Sequence, residues 1–268
     1  MRDDLRGLPA LNAAQESLIH ITIPVGMLQC NCSIIGDPLT REALVVDPGD
    51  EVMRILDLLG RRRLTVKAIV STHAHIDHVG GLSKLHQYTG APVLMHRDDL
   101  PLYQAMDVQA SFMGVLPSDL TEVDQLLKEG DVLRWGSLEA QVIHTPGHTP
   151  GVLTTEGITV YDQGKPYKAI PWGGAGYRGG LAEAEQSVTS ANKVAQIKGV
   201  QVNLQIHSWA GDDGYPGGGV LERGVMLKSR KPGDPHPFVD PDTFTRWVKR
   251  TQDEAAKAVQ EEKKKAGK

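Results

Sequence analysis

Apolar and polar positions alternate from Leu18 to Val25, which predicts a β-strand. Gln29 to Ile35 and Ala43 to Val46 predict two more, with Gly36-Asp37-Pro38 turning between them. The third strand runs into Asp47-Pro48-Gly49-Asp50. Val52, Ile55, Leu56 and Leu59 follow at helical spacing, and Asp50 is the expected N-cap. Val66 to Ser71 is an apolar, β-branched run that reads as a buried strand. A helix is expected over Leu82 to Tyr88, with Leu85 inward, then a short strand from Pro92 to Met95 and helical turns from Asp98 to Tyr103. Gln104 to Lys128 scatters Met106, Phe112, Met113 and Leu116 without a clear period. That segment is expected either to overhang a site or to form a surface excursion packed by its own apolar residues.

Val132 to Trp135 and Leu138 to Ile143 predict a hairpin. Val152 to Tyr161 and Tyr167 to Trp172 predict a longer one, turning at Gln163-Gly164-Lys165. A helix over Glu183 to Lys198 and a last strand over Asn203 to Ile206 follow. The Gly- and Pro-rich segment 211–219 reads as a loop. Phe244, Trp247, Val248, Thr251, Ala255 and Val259 mark an amphipathic helix from about residue 241, ending in a lysine-rich tail expected to fray. Residues 1–17 form a polar lead-in, and 18–268 are expected to make one domain.

Composition narrows the function classes. Of 268 residues, 40% are hydrophobic, ample for a core, and the net charge of -4 gives no electrostatic basis for binding nucleic acid or membrane. No run is long and apolar enough to span a bilayer. Met1-Arg2-Asp3-Asp4 opens no signal peptide, so the chain as written is expected in the cytoplasm, or in the periplasm if a leader has been removed. Cys30 and Cys32 lie two apart on one strand, point to one face and are poorly placed to bridge; they read as core thiols or as soft metal ligands. Arg61-Arg62-Arg63 reads as a solvated helix end, with phosphate binding as the other possibility.

The chemistry concentrates in His73-Ala74-His75-Ile76-Asp77-His78, where four potential ligands fall within six residues. The strand before it and Gly80-Gly81 after it put these side chains at the C-terminal end of a strand, just before a helix, where α/β folds do chemistry. Imidazoles with one carboxylate suit zinc or another borderline ion. His148 stands in the Pro/Gly-fixed loop Thr145 to Gly151, and His207 just past the last strand. Both are candidate further ligands, whereas His144 reads as a packing or supporting residue.

The stretch from His73 to His78 resembles the His-x-His-x-Asp-His signature of the metallo-β-lactamase superfamily at every position. From about Leu18 to Gly151 the chain resembles the short bacterial proteins related to glyoxalase II, on Gln29-Cys30-Asn31-Cys32, Val46-Asp47-Pro48-Gly49, Thr72 to Gly81 and Thr145 to Gly151. From Gly164 onward it is similar to third-subclass metallo-β-lactamases, on Gly164-Lys165-Pro166, Trp172-Gly173-Gly174, Arg230-Lys231-Pro232-Gly233 and Pro237-Phe238-Val239.

The resemblance implies an α/β fold, the four-layer αβ/βα sandwich, with two zinc ions at one edge between the sheets. His73, His75 and His148 would hold the first ion, and Asp77, His78 and His207 the second. Asp77, His148 and His207 are the residues it makes catalytic, through a metal-activated hydroxide that attacks an acyl carbonyl. Asp47 would orient the ligand loop or simply cap its strand. Glyoxalase II also carries a metal-bridging Asp after the third-ligand loop. Here Trp172-Gly173-Gly174 offers no carboxylate, and Asp162 comes too early and reads as a hairpin residue. The implied substrate is a small molecule with an acyl carbonyl, first a β-lactam, then a glyoxalase II-type thioester or a lactone. A non-catalytic metal-binding protein is the alternative from another class.

Overall fold

A computed structural model describes residues 21–177, 179–207 and 219–267. The lead-in, the start of the first predicted strand and nearly all of the 211–219 loop lie outside the described residues. The first half of the chain builds β1 (Ile21–Val25), β2 (Cys30–Gly36), β3 (Glu42–Val46), α1 (Val52–Arg61), β4 (Thr65–Val70), α2 (Ile76–Val79), α3 (Leu82–Thr89) and β5 (Val93–His96). Then come α4 (Leu100–Gln104), α5 (Met106–Met113), β6 (Gln125–Leu127), β7 (Val132–Trp135), β8 (Leu138–His144), β9 (Leu153–Glu156), β10 (Thr159–Asp162) and β11 (Lys165–Ile170). The chain ends in α6 (Leu181–Val194), β12 (Val202–Asn203), α7 (Val220–Ser229) and α8 (Pro241–Ala266).

Strands β1 to β6 form one mixed sheet in chain order, antiparallel as far as β3 and parallel from there to β6. Strands β7-β8-β9 and β10-β11-β12 form two three-stranded pieces. A bridge between Thr154 and Trp172 brings the pieces together. Leu44, Val46, Val70 and Leu94 of the first sheet pack with Leu133, Trp135, Val142, Leu153 and Val160 of the second, so the sheets lie face to face. The other face of the first sheet packs Ile34, Val45 and Ile69 against Ile55 and Leu59 of α1 and Leu85 of α3. Ile170 and Trp172 pack against Val194 of α6 and Trp247 of α8 on the far side. Helices, sheet, sheet, helices: this is the four-layer sandwich, built because each sheet buries both faces.

Several local expectations needed correction. The cap of α1 is Glu51, in the left-handed region at φ 49, while Asp50 Oδ1 accepts its N–H. Residues 104–128 are more regular than expected, because α5 buries Met106 and Ala110, one turn apart, against the first sheet. The long hairpin is divided: β9 pairs with β8, and only β10 turns through Gln163-Gly164 to pair with β11. No element was expected over 220–229, where α7 lies. The lysine-rich tail stays helical to Ala266, supported by pairs such as Lys265–Glu262 (2.5 Å) and Lys263–Glu185 (3.7 Å) and by basic residues at the helix C-terminus. Arg61 pairs with Asp57 (2.7 Å) at the exposed end of α1, as the solvated-end reading expects.

Candidate metal centre

Strand β4 is central and parallel, and its end delivers the His73–His78 loop to the edge between the sheets. There Thr72 C=O accepts Leu153 N–H (2.7 Å) from β9. Ser71 Oγ donates to His73 C=O (2.6 Å). Asp99 accepts Ala74 N–H (2.8 Å). Gln109 of α5 accepts Ile76 N–H (3.0 Å) and donates to Ala74 C=O (2.9 Å). The loop after β3 presses on it from the other side: a Cβ at Gly49 would lie 1.5 Å from Asp77 C=O, so only glycine fits there.

Among the described residues, two of the four groups of potential metal donors are made by the six predicted residues. In the first, the rings of His73, His75 and His148 have centroids 4.7–4.9 Å apart and stand nearly perpendicular in pairs. One donor atom from each lies within 4.8 Å of the others. His148 is presented by a loop tied through Ser190 Oγ to Pro146 C=O (2.7 Å) and through Asp99 to Thr149 Oγ1 (2.8 Å). In the second, Asp77 Oδ2 lies 3.4 Å from His78 Nε2 and 3.3 Å from His207 Nε2, and those two nitrogens are 3.2 Å apart. His207 is set by a β-bridge to Cys30 and by Asn31 N–H donating to Ile206 C=O (2.7 Å). The groups adjoin, with His73 and His78 ring centroids 3.9 Å apart. All six residues singled out in the sequence are thus brought together, in the predicted threes.

These donors could hold metal ions. His73 Nε2 is buried and has no hydrogen-bond partner among the described residues, a costly state for a ring nitrogen unless something binds it. Burial and the neighbouring imidazoles push the His73 pKa well down, which keeps its lone pair available. Burial alone would raise Asp77, but His78 and His207 hold it well below the usual carboxylate range. Burial opposes a charge on His78, while Cys30, Asp47 and Asp77 around the ring raise its pKa well above the ordinary value.

Asp47 sits behind this centre. Its carboxylate accepts from Thr72 N–H (2.7 Å) and Thr72 Oγ1 (2.6 Å) and lies 3.0 Å from His78 Nδ1, so it fixes the orientation of that ring. The Cys30 thiol also reaches His78 Nδ1 (3.2 Å), and burial pushes its pKa up to about 12. Cys32 is buried and unbridged. His144 stays outside both groups: it stacks on His96 at 4.0 Å, and its Nε2 hydrogen-bonds Pro150 C=O (2.6 Å). Asp162, the last residue of β10, is held by Arg230, which follows α7. Asp99 and Gln109 escaped the sequence reading; the only signal for Asp99 was an acidic residue at the start of a short helix after a strand. A cavity of about 510 Å³ opens beside Asp77, walled by Met27, Leu28, Val115 and Leu116. Among the described residues no helix is long and apolar enough to cross a membrane.

Residues 25–157 match the family described as the metallo-beta-lactamase superfamily. An uncharacterized protein of Aquifex aeolicus is 41% identical over 137 residues, 50% of this chain and 63% of its own length. Hydroxyacylglutathione hydrolase GloC of Haemophilus influenzae is 34% identical over 131 residues, 48% of this chain and 61% of its own. The chain therefore spans less than two-thirds of these relatives. The subclass B3 metallo-beta-lactamase BJP-1 of Bradyrhizobium japonicum superposes with a TM-score of 0.69 over 88% of this chain and 90% of its own, at 20% identity.

Proposed function

We propose that this chain, which carries a metallo-β-lactamase superfamily domain over residues 25–157, is a dinuclear zinc hydrolase that opens a β-lactam ring. His73, His75 and His148 would hold one ion and Asp77, His78 and His207 the other. When bound, such a pair supplies Lewis acidity, lowering the pKa of a water and polarising an acyl carbonyl. The protein's own part is positional. Asp47 orients His78, and the ties on Ala74 and Ile76 hold the loop between the ligands in one conformation. Met27, Leu28, Val115 and Leu116 give the adjoining cavity an apolar wall against which a substrate side chain can exclude water.

The observation that carries the β-lactam choice is the fate of Asp162. Arg230 engages both of its oxygens, which leaves Asp77 as the one carboxylate in the two donor groups. A second reading, thioester hydrolysis, draws on the hydroxyacylglutathione hydrolase among the relatives. Incubating zinc-replete protein with nitrocefin and with lactoylglutathione, with zinc quantified on the same sample, separates them. Nitrocefin turnover with two zinc ions per chain is expected. Turnover of the thioester alone overturns the β-lactam choice, and fewer than two ions per chain overturns the dinuclear centre.

A further inference from the structure

We propose that Asp99 is a positioning residue that sets the spacing between the two loops of the three-histidine group, a role that rests on that group holding an ion. Asp99 is fully buried, on the turn between β5 and α4. Its Oδ2 accepts from Ala74 N–H (2.8 Å) and from Thr149 Oγ1 (2.8 Å), and its Oδ1 accepts from Gly151 N–H (2.6 Å). Ala74 lies between His73 and His75, and Thr149 follows His148. One carboxylate therefore joins the loop that carries two imidazoles to the loop, far along the chain, that carries the third.

Three donors converge on two oxygens, an arrangement a carboxylate satisfies and an amide does not. In an Asp99→Asn chain the amide nitrogen must face either Gly151 N–H or the Ala74 and Thr149 donors, setting donor against donor. The fit is close as well: a Cβ at Gly151 would lie 2.6 Å from the Asp99 carboxyl carbon, so the His148 loop rests directly on this side chain. The Asp77, His78 and His207 group has different supports, namely Asp47 and the bridge to Cys30. Loss of Asp99 therefore acts first on the three-histidine group, whose two loops it joins.

The test is zinc titration of metal-stripped protein followed calorimetrically, with His148→Ala and His207→Ala marking which binding step belongs to which group. Asp99→Asn is expected to weaken the step lost in His148→Ala by about 10–100-fold, the usual effect of removing a ligand's support, and to leave the step lost in His207→Ala at its wild-type affinity. Thr149→Val removes one of the three bonds and should weaken the same step, while Thr149→Ser should restore it; this pair carries the test if Asp99→Asn does not fold. Wild-type affinity for both steps in Asp99→Asn and Thr149→Val, or equal weakening of both steps, overturns the assignment. A wild-type chain with no step at the three-histidine group defeats the metal reading itself.

Discussion

Arg230 forks onto Asp162, with Nη1 donating to Oδ1 at 2.7 Å and Nη2 to Oδ2 at 2.6 Å. Both side chains are buried, at 3% and 6% exposure. The pair ties the β10–β11 hairpin to the turn after α7, where Arg230 also donates to Asp234 C=O. Removing the cation takes both of these charge-assisted bonds from a buried carboxylate, so Arg230→Ala should lower stability by about 2 kcal/mol or more. Thermal unfolding measures that loss. Because this carboxylate is engaged away from the donor groups, Asp162→Asn should keep the wild-type zinc content. Loss of an ion on that substitution would return Asp162 to the centre.

Asp47 makes a contrasting case. It is as buried as Asp162, but its partners are Thr72 and His78, one at the entrance to the ligand loop and one a proposed ligand. Asp47→Ala frees the His78 ring to turn and should weaken zinc at the Asp77, His78 and His207 group by about 10–100-fold. Competition with a chelator of known affinity reads this directly. Unchanged affinity would reduce Asp47 to a cap at the end of β3.

Acid stability has a local determinant far from the centre. Asp37 accepts from Leu39 N–H (2.8 Å), Thr40 Oγ1 (3.0 Å) and Ser137 N–H (2.5 Å), tying the β2–β3 turn to the β7–β8 turn. Burial would raise its pKa, but the bonds from Ser137 and Leu39 outweigh burial and hold it below the ordinary value of 3.8. A carboxylate depressed in the folded state stabilises fully above its unfolded pKa, and the contribution fades as pH falls through the folded value. Asp37→Asn should therefore cost about 1–3 kcal/mol near neutrality, and its melting temperature should converge with wild type below about pH 4. A gap that stays constant down to pH 3 would remove the ionised form from the explanation.

The six proposed donor positions were legible because each lies at or just past an apolar run that reads as a strand, and a strand end is where a short polar motif meets the sheet edge. The scaffold around them was harder to read. Helix α5 buries Met106 and Ala110 yet turns Phe112 outward, 84% exposed, so its apolar residues never form a stripe. Its Gln109 makes three backbone contacts that no periodicity announces. The division between β9 and β10 depends on which neighbour each strand finds, a tertiary choice invisible in the alternation of side chains. The lysines at the C-terminus looked like a frayed end because partners such as Glu185 lie on another helix.

Gly49 shows how a residue with no functional group can govern a centre to which it contributes no donor atom. Its missing side chain is the space into which the Asp77 carbonyl fits. Every other amino acid, alanine included, would wedge the two crossover segments apart and carry the carboxylate and imidazole of the adjoining helix with them. In a saturation scan this position would look as intolerant as a ligand, and in a redesign it is the backbone atom to leave fixed first.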